Sequence, residues 1–290
     1  MGYICEAGPA ARMKEERLGG ETSVQRPEAG GGRLDSRTIA ATAVFTAFVA
    51  AATSVFTVNI PATTGYFNVG EIMVYTAALL MGPYVGAFAG GVGSMLSDLS
   101  LGYPYYAPGT LVIKGIEGFV VGYLASRAGK AAAGVWRALT LAGGLAFAVA
   151  LSYVGANFLS GGFSPEVGGA WGVPQYSVDF TVPQVFWVAL AACSFVTIAY
   201  FGLRAGSRAD PSVLSVLVGG AEMVAGYYLY ESFVMTLIAP ASVVATLAPA
   251  AEVPFNVAQA LIGLLVSIPL ARSIRRMMSR SPVGGRVVRP

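Results

Sequence analysis

The sequence predicts an all-α integral membrane protein, a bundle of about eight transmembrane helices with both termini cytoplasmic. Three observations carry this. Of 290 residues, 55% are hydrophobic and 11% charged, with a mean hydropathy of +0.66, whereas a soluble domain carries about 25% charged residues. Apolar stretches near the roughly 20 residues that cross a bilayer as a helix recur along the chain. Finally, all but one of the 18 Lys and Arg residues fall into four clusters that alternate spans assign to one side, which marks that side as cytoplasmic.

Residues 1–37 are Gly-rich and charged and lack the apolar core of a signal peptide, so they read as a disordered cytoplasmic tail, with Met13 as a second possible start. The expected spans are Thr38–Val58, Tyr66–Gly82, Pro83–Leu99, Gly109–Ser126, Trp136–Leu159, Phe180–Leu203, Pro211–Ile238 and Glu252–Arg272. The second and third are short and meet at Gly82-Pro83, so a re-entrant hairpin is an alternative for that pair. Residues 274–290 form a basic cytoplasmic tail. The loops Val58–Asn68, Ser100–Pro108 and Ser160–Asp179 are then external, and the last is long enough to fold over a site as a lid.

Lys114 is the exceptional basic residue, placed deep in an apolar segment with Glu117 one turn beyond it. A cation there needs protein, water or an opposite charge around it and marks a candidate functional site. Residues at i and i+3 share a helix face, so the pair can grip a ligand or simply fix packing. Other polar groups gather in the same outer half of the membrane: Asn68, Glu71, Asp98, Glu231, Glu252, Asn256 and Gln259, with Tyr103, Tyr105, Tyr106, Tyr227, Tyr228 and Tyr230 nearby. The expectation is an outward-facing cavity for a small, partly flat ligand, held by stacking and directed hydrogen bonds. Its substrate-binding residues are Asn68, Glu71, Tyr106, Lys114, Glu117, Tyr227, Glu231 and Asn256. Asp98 and Glu252 read more simply as helix-end charges, and at most two of Tyr227, Tyr228 and Tyr230 can face a cavity.

Small residues recur every four positions at Ala43, Ala47 and Ala51, and again at Gly82, Gly86, Gly90 and Ser94. Such stripes let a second helix approach closely, from within the chain or from a partner. The chain has no His and no P-loop motif. Its two cysteines, Cys5 and Cys193, lie in dissimilar surroundings. Catalysis, a metal and a cofactor are therefore not expected. With a net charge of +3, neither is nucleic acid.

Several segments together resemble the S components of energy-coupling factor (ECF) vitamin transporters, most closely the riboflavin-type branch. They are Ile60–Glu71 (IPATTGYFNVGE), Leu80–Gly86 (LMGPYVG), Tyr103–Pro108 (YPYYAP), Ile113–Gly118 (IKGIEG), Glu222–Glu231 (EMVAGYYLYE) and Glu252–Gln259 (EVPFNVAQ). The resemblance implies a binding subunit without enzymatic activity in the cell membrane. Such a subunit captures a vitamin or precursor from outside and docks on a membrane coupling subunit driven by two cytoplasmic ATPases. It also implies that Ala43, Ala47 and Ala51 meet the coupling subunit and that external loops close over the ligand. The family has six helices, so residues 38–133 and 209–273 would form its core and 134–208 an inserted helical pair. The last closing loop then maps to Ala239–Ala251. Two other classes compete: an ion-coupled secondary carrier acting alone, with Glu117 and Glu222 as proton sites, and a non-transporting scaffold in which Lys114 and Glu117 only pack.

Overall fold

The computed structural model describes residues 35–60, 65–127, 133–158, 160–163, 166–167, 176–177, 180–204, 211–238 and 243–280. The tail expected at 1–37 lies almost wholly outside them, as do Cys5, Asp179 and residues 281–290. Contacts divide the chain into Met1–Ser36 and Arg37–Pro290, and the second unit holds the helical bundle.

Eight helices form among the described residues: α1 (Ser36–Val55), α2 (Glu71–Met81), α3 (Pro83–Leu101), α4 (Ala107–Ser126), α5 (Ala133–Phe158), α6 (Gln184–Arg204), α7 (Ser212–Ile238) and α8 (Val243–Arg280). Five contain stretches long and apolar enough to cross a membrane: Ser36–Val55, Ala107–Ser126, Gly134–Asn157, Ser212–Val234 and Glu252–Ser279. Hydroxyls inside these helices bond back along their own turn, as Thr42 and Thr46 do to the carbonyls of Thr38 and Thr42 at 2.7 Å. That removes the cost of carrying an unpaired donor into an apolar environment.

The second expected span is corrected. Residues 65–68 are a strand, and α2 begins only at Glu71 and runs 11 residues, about 16 Å at 1.5 Å per residue. The cause is local. The Asn68 side chain accepts a hydrogen bond from Gly70 N–H at 2.8 Å, a turn that halts the strand and starts the helix. Gly82, at φ +85°, makes the corner into α3, and Pro83 opens that helix where its missing N–H costs nothing. At the other end of α3, Gly102 adopts the left-handed cap conformation and its N–H bonds to the Asp98 carbonyl.

The segment after α1, expected as an external loop, carries an antiparallel hairpin of β1 (Thr57–Ile60) and β2 (Gly65–Asn68), with Thr57 opposite Asn68. Between α5 and α6 lie β3 (Gly161–Phe163), β4 (Glu166–Val167), β5 (Tyr176–Ser177) and β6 (Phe180–Val182). Strand β4 pairs with β1 at Val58 and Asn59, giving a four-stranded order β2-β1-β4-β5. The loop of the extra helical pair is thus hydrogen-bonded to the first hairpin, at the end of the bundle where α1 and α3 finish and α2 and α4 begin.

Two cores hold the helices. One joins α1 to α4, α7 and α8 through Val49, Val74, Tyr75, Val121, Val216, Leu264 and Ile268. The second fastens α5 and α6 to α8 through Leu151, Trp187, Ala191, Val257 and Leu261. Helices α5 and α6 make their most extensive contact with each other. The glycine stripe of α3 serves internal packing: a Cβ on Gly90 would sit 2.7 Å from the Lys114 carbonyl oxygen, and one on Gly86 2.8 Å from that of Gly118. Backbone thus lies against backbone where α3 crosses α4. The alanine stripe of α1 does the opposite: Ala43, Ala47 and Ala51 are all exposed.

Candidate functional site

Helix α4 places Lys114 about 10 Å and Glu117 about 15 Å below its N-terminus, facing α2 across the bundle. The Lys114 ammonium pairs with Glu71 and, at 3.2 Å, with Glu117, and all three side chains are buried. Tyr75, one turn along α2 from Glu71, donates its hydroxyl to Glu117 at 2.7 Å. The arrangement is a buried triad of two carboxylates on one ammonium. Charges taken out of water in this way hold only while their partners are present.

Lys114 also forms part of the floor of a cavity. The cavity is lined by residues of α1, β2, α3, α4, α7 and α8 and by Tyr106 just before α4. Of the eight residues expected at a site, Asn68, Tyr106, Lys114, Tyr227, Glu231 and Asn256 line it. Glu71 and Glu117 stand behind Lys114 and hold it. The other lining residues are Thr53, Gly65, Tyr66, Ser94, Asp98, Thr110, Glu252 and Gln259.

A polar chain builds one wall. Gln259 donates to Asn256 at 2.9 Å and accepts from the backbone N–H of Asn68 at 3.3 Å. This ties strand β2 to α8 and sets both amides at the cavity edge. Opposite, Tyr66 donates to Asp98 at 2.6 Å and lies against Tyr103, with ring centroids 4.9 Å apart. Burial and the neighbouring Asp98 carboxylate raise the Tyr66 phenol above its usual pKa, so it stays a donor. Tyr227 bonds to Thr110 at 3.1 Å, and its ring centroid lies 5.4 Å from the Lys114 ammonium, within cation–π range. Of the remaining tyrosines, Tyr230 packs on Gly109 and donates to the Tyr105 carbonyl at 2.6 Å, while Tyr228 and Tyr105 are exposed.

Two acids read as helix-end charges belong to the cavity. Asp98 sits in the last turn of α3 but is turned inward and buried. Glu252 was expected to open the last helix. It lies nine residues inside α8, which starts at Val243 and continues through Pro249 and Pro254, as apolar helices packed among neighbours can. Its carboxyl accepts from the Gly65 backbone and faces that of Glu231. A side chain on Gly65 would collide with it, so glycine is required there for strand β2 to reach the site.

Five helices long and apolar enough to cross a membrane, in a bundle that holds a buried polar cleft, mark a multi-pass membrane protein. The sequence model of the ECF-type riboflavin transporter S component matches residues 33–200 and 178–276, and the chain belongs to that family. Its members are substrate-specific subunits of vitamin uptake systems, not enzymes. A protein of Pyrococcus woesei, described as an uncharacterized protein in the gap 3′ region, is 59% identical over 56 residues, 19% of this chain. The chain spans 37% of the length of that curated relative. No solved structure matches the chain.

Proposed function

We propose that this protein captures a vitamin or vitamin precursor from outside the cell with high affinity and delivers it to an ATP-driven ECF module. The observation that supports this best is the cavity itself: six candidate residues from β2, α4, α7 and α8 converge on it. Gly65, Tyr66 and Asn68 of the hairpin are among its lining, so it lies toward the end of the bundle that carries the hairpin. Arg127 and Arg204 stand at the C-terminal ends of α4 and α6, and with the other basic residues of the sequence they support a reading in which the cavity faces outward and both termini are cytoplasmic. In this reading the β2-β1-β4-β5 sheet is the lid, and residues 134–208 are an insertion that extends it. The residues proposed to hold the ligand are Asn68, Tyr106, Lys114, Tyr227, Glu231 and Asn256, with Glu71 and Glu117 positioning Lys114.

The exposed Ala43, Ala47 and Ala51 stripe is the proposed docking face for the membrane coupling subunit, which two cytoplasmic ATPases drive. A bulky residue there blocks helix approach without touching the cavity. Ala47→Phe is expected to abolish uptake in cells co-expressing the module while leaving ligand binding by purified protein intact. Uptake into proteoliposomes driven by a proton gradient without ATPases would instead establish a carrier working alone.

A further inference from the structure

The cavity has a charge problem that the buried triad does not solve. Among the described residues, Asp98, Glu231 and Glu252 bring three buried carboxyls to its wall. The ammonium beside them, Lys114, is already held by two more, Glu71 and Glu117. Six carboxyls therefore share one cation, counting Glu222, which also acts on the Lys114 ammonium. Glu231 is fully buried and lies in hydrogen-bond reach of the Glu252 carboxyl. One proton can be shared between these two carboxyls, which leaves the pair with a negative charge beside that of Asp98. Buried negative charge without a counter-charge is costly, and these carboxyls line the cavity.

We propose that the captured molecule is an aromatic organic cation, its charge received by Asp98, Glu231 and Glu252 and its ring by Tyr66, Tyr106 and Tyr227. This deepens the capture reading and rests on it. A neutral ligand with N–H groups satisfies individual oxygens but leaves the excess negative charge in place, and an anion adds to it. A cation removes it, and tyrosine faces attract cations as well, as the position of Lys114 beside Tyr227 illustrates.

The experiment is thermal unfolding and binding of the full chain in lipid nanodiscs with four probes: thiamine and 1-methylnicotinamide as aromatic cations, riboflavin as a neutral ring, and pantothenate as an anion. At least one cation is expected to raise the melting temperature, with riboflavin and pantothenate inert. Stabilisation by riboflavin or pantothenate equal to or above that by the cations overturns the assignment, and so does silence from all four. The capture reading is judged separately, by ATP-dependent uptake and the Ala47→Phe variant. Glu231→Gln and Glu252→Gln are each expected to weaken cation binding about tenfold or more, the loss that removing a charged partner brings. Glu231→Gln without ligand should melt no lower than the parent, because the Gln amide can donate to the Glu252 carboxylate in place of a shared proton. Unchanged cation affinity in both variants overturns the proposal.

Discussion

Lys114→Met is expected to destabilise the protein by about 3–5 kcal/mol, the cost of stripping one partner from a buried ion pair. Methionine matches the aliphatic stem, so little packing is lost. The penalty comes from Glu71 and Glu117, which remain buried after losing the ammonium. The Tyr75 hydroxyl still donates to Glu117, but no described donor replaces Lys114 at Glu71, one of whose oxygens already lacks a partner. Adding Glu71→Gln and Glu117→Gln to Lys114→Met should restore most of the stability, because whole buried ionic sets can be replaced by neutral groups at little cost. Ligand binding should not return in this triple variant, since Lys114 itself lines the cavity. Thermal unfolding and a binding isotherm on the same samples separate the two effects. Wild-type melting for Lys114→Met would show that the triad holds nothing together, and wild-type binding would remove Lys114 from the site.

How far the sequence discloses this site depends on which interactions are local. Lys114 and Glu117 are three residues apart on one helix, and a cation in an apolar run stands out by composition alone, so their pairing is readable directly. Glu71 joins them from 43 residues away. Its polarity is visible in the sequence, but its partner depends on how α2 packs on α4. The pairing of Glu231 with Glu252 is harder still, because it depends on where α8 begins. The last span is expected to open at Glu252, yet the helix starts at Val243, runs through Pro249 and Pro254 and carries Glu252 inward from the expected helix end. The hairpin after α1 is hidden for another reason. Its strands have four residues each, too few for alternation to show, and its register is fixed by the Asn68 turn and by pairing with β4 more than 100 residues later. Five helices were legible as spans because burial in a bilayer demands long apolar runs. The cavity wall was legible only as a list of polar residues in one half of the membrane.

The α3–α4 crossing makes two neighbouring glycines respond in opposite directions to the same substitution. A Cβ on Gly118 would lie 2.5 Å from the Gly86 carbonyl carbon and 3.0 Å from the Ala87 nitrogen. Those are backbone atoms, and they cannot turn aside as a side chain can. Gly118→Ala must therefore push the helices apart, at a cost expected to reach or exceed the roughly 1–3 kcal/mol typical of overpacking. Separation here also displaces Lys114, one turn away on α4, whose carbonyl packs against Gly90, so ligand affinity should fall with stability. For Gly115, three residues earlier, the nearest atom to an added Cβ is the Ala87 carbonyl oxygen at 3.7 Å, an ordinary contact. Gly115→Ala costs no space and removes a residue that weakens helices by up to about 1 kcal/mol, so it should melt at or above the parent temperature with binding intact. Equal melting temperatures for the two variants would mean that the helices do not cross on Gly86 and Gly118. In that case the close backbone approach that holds Lys114 in place would be lost with them.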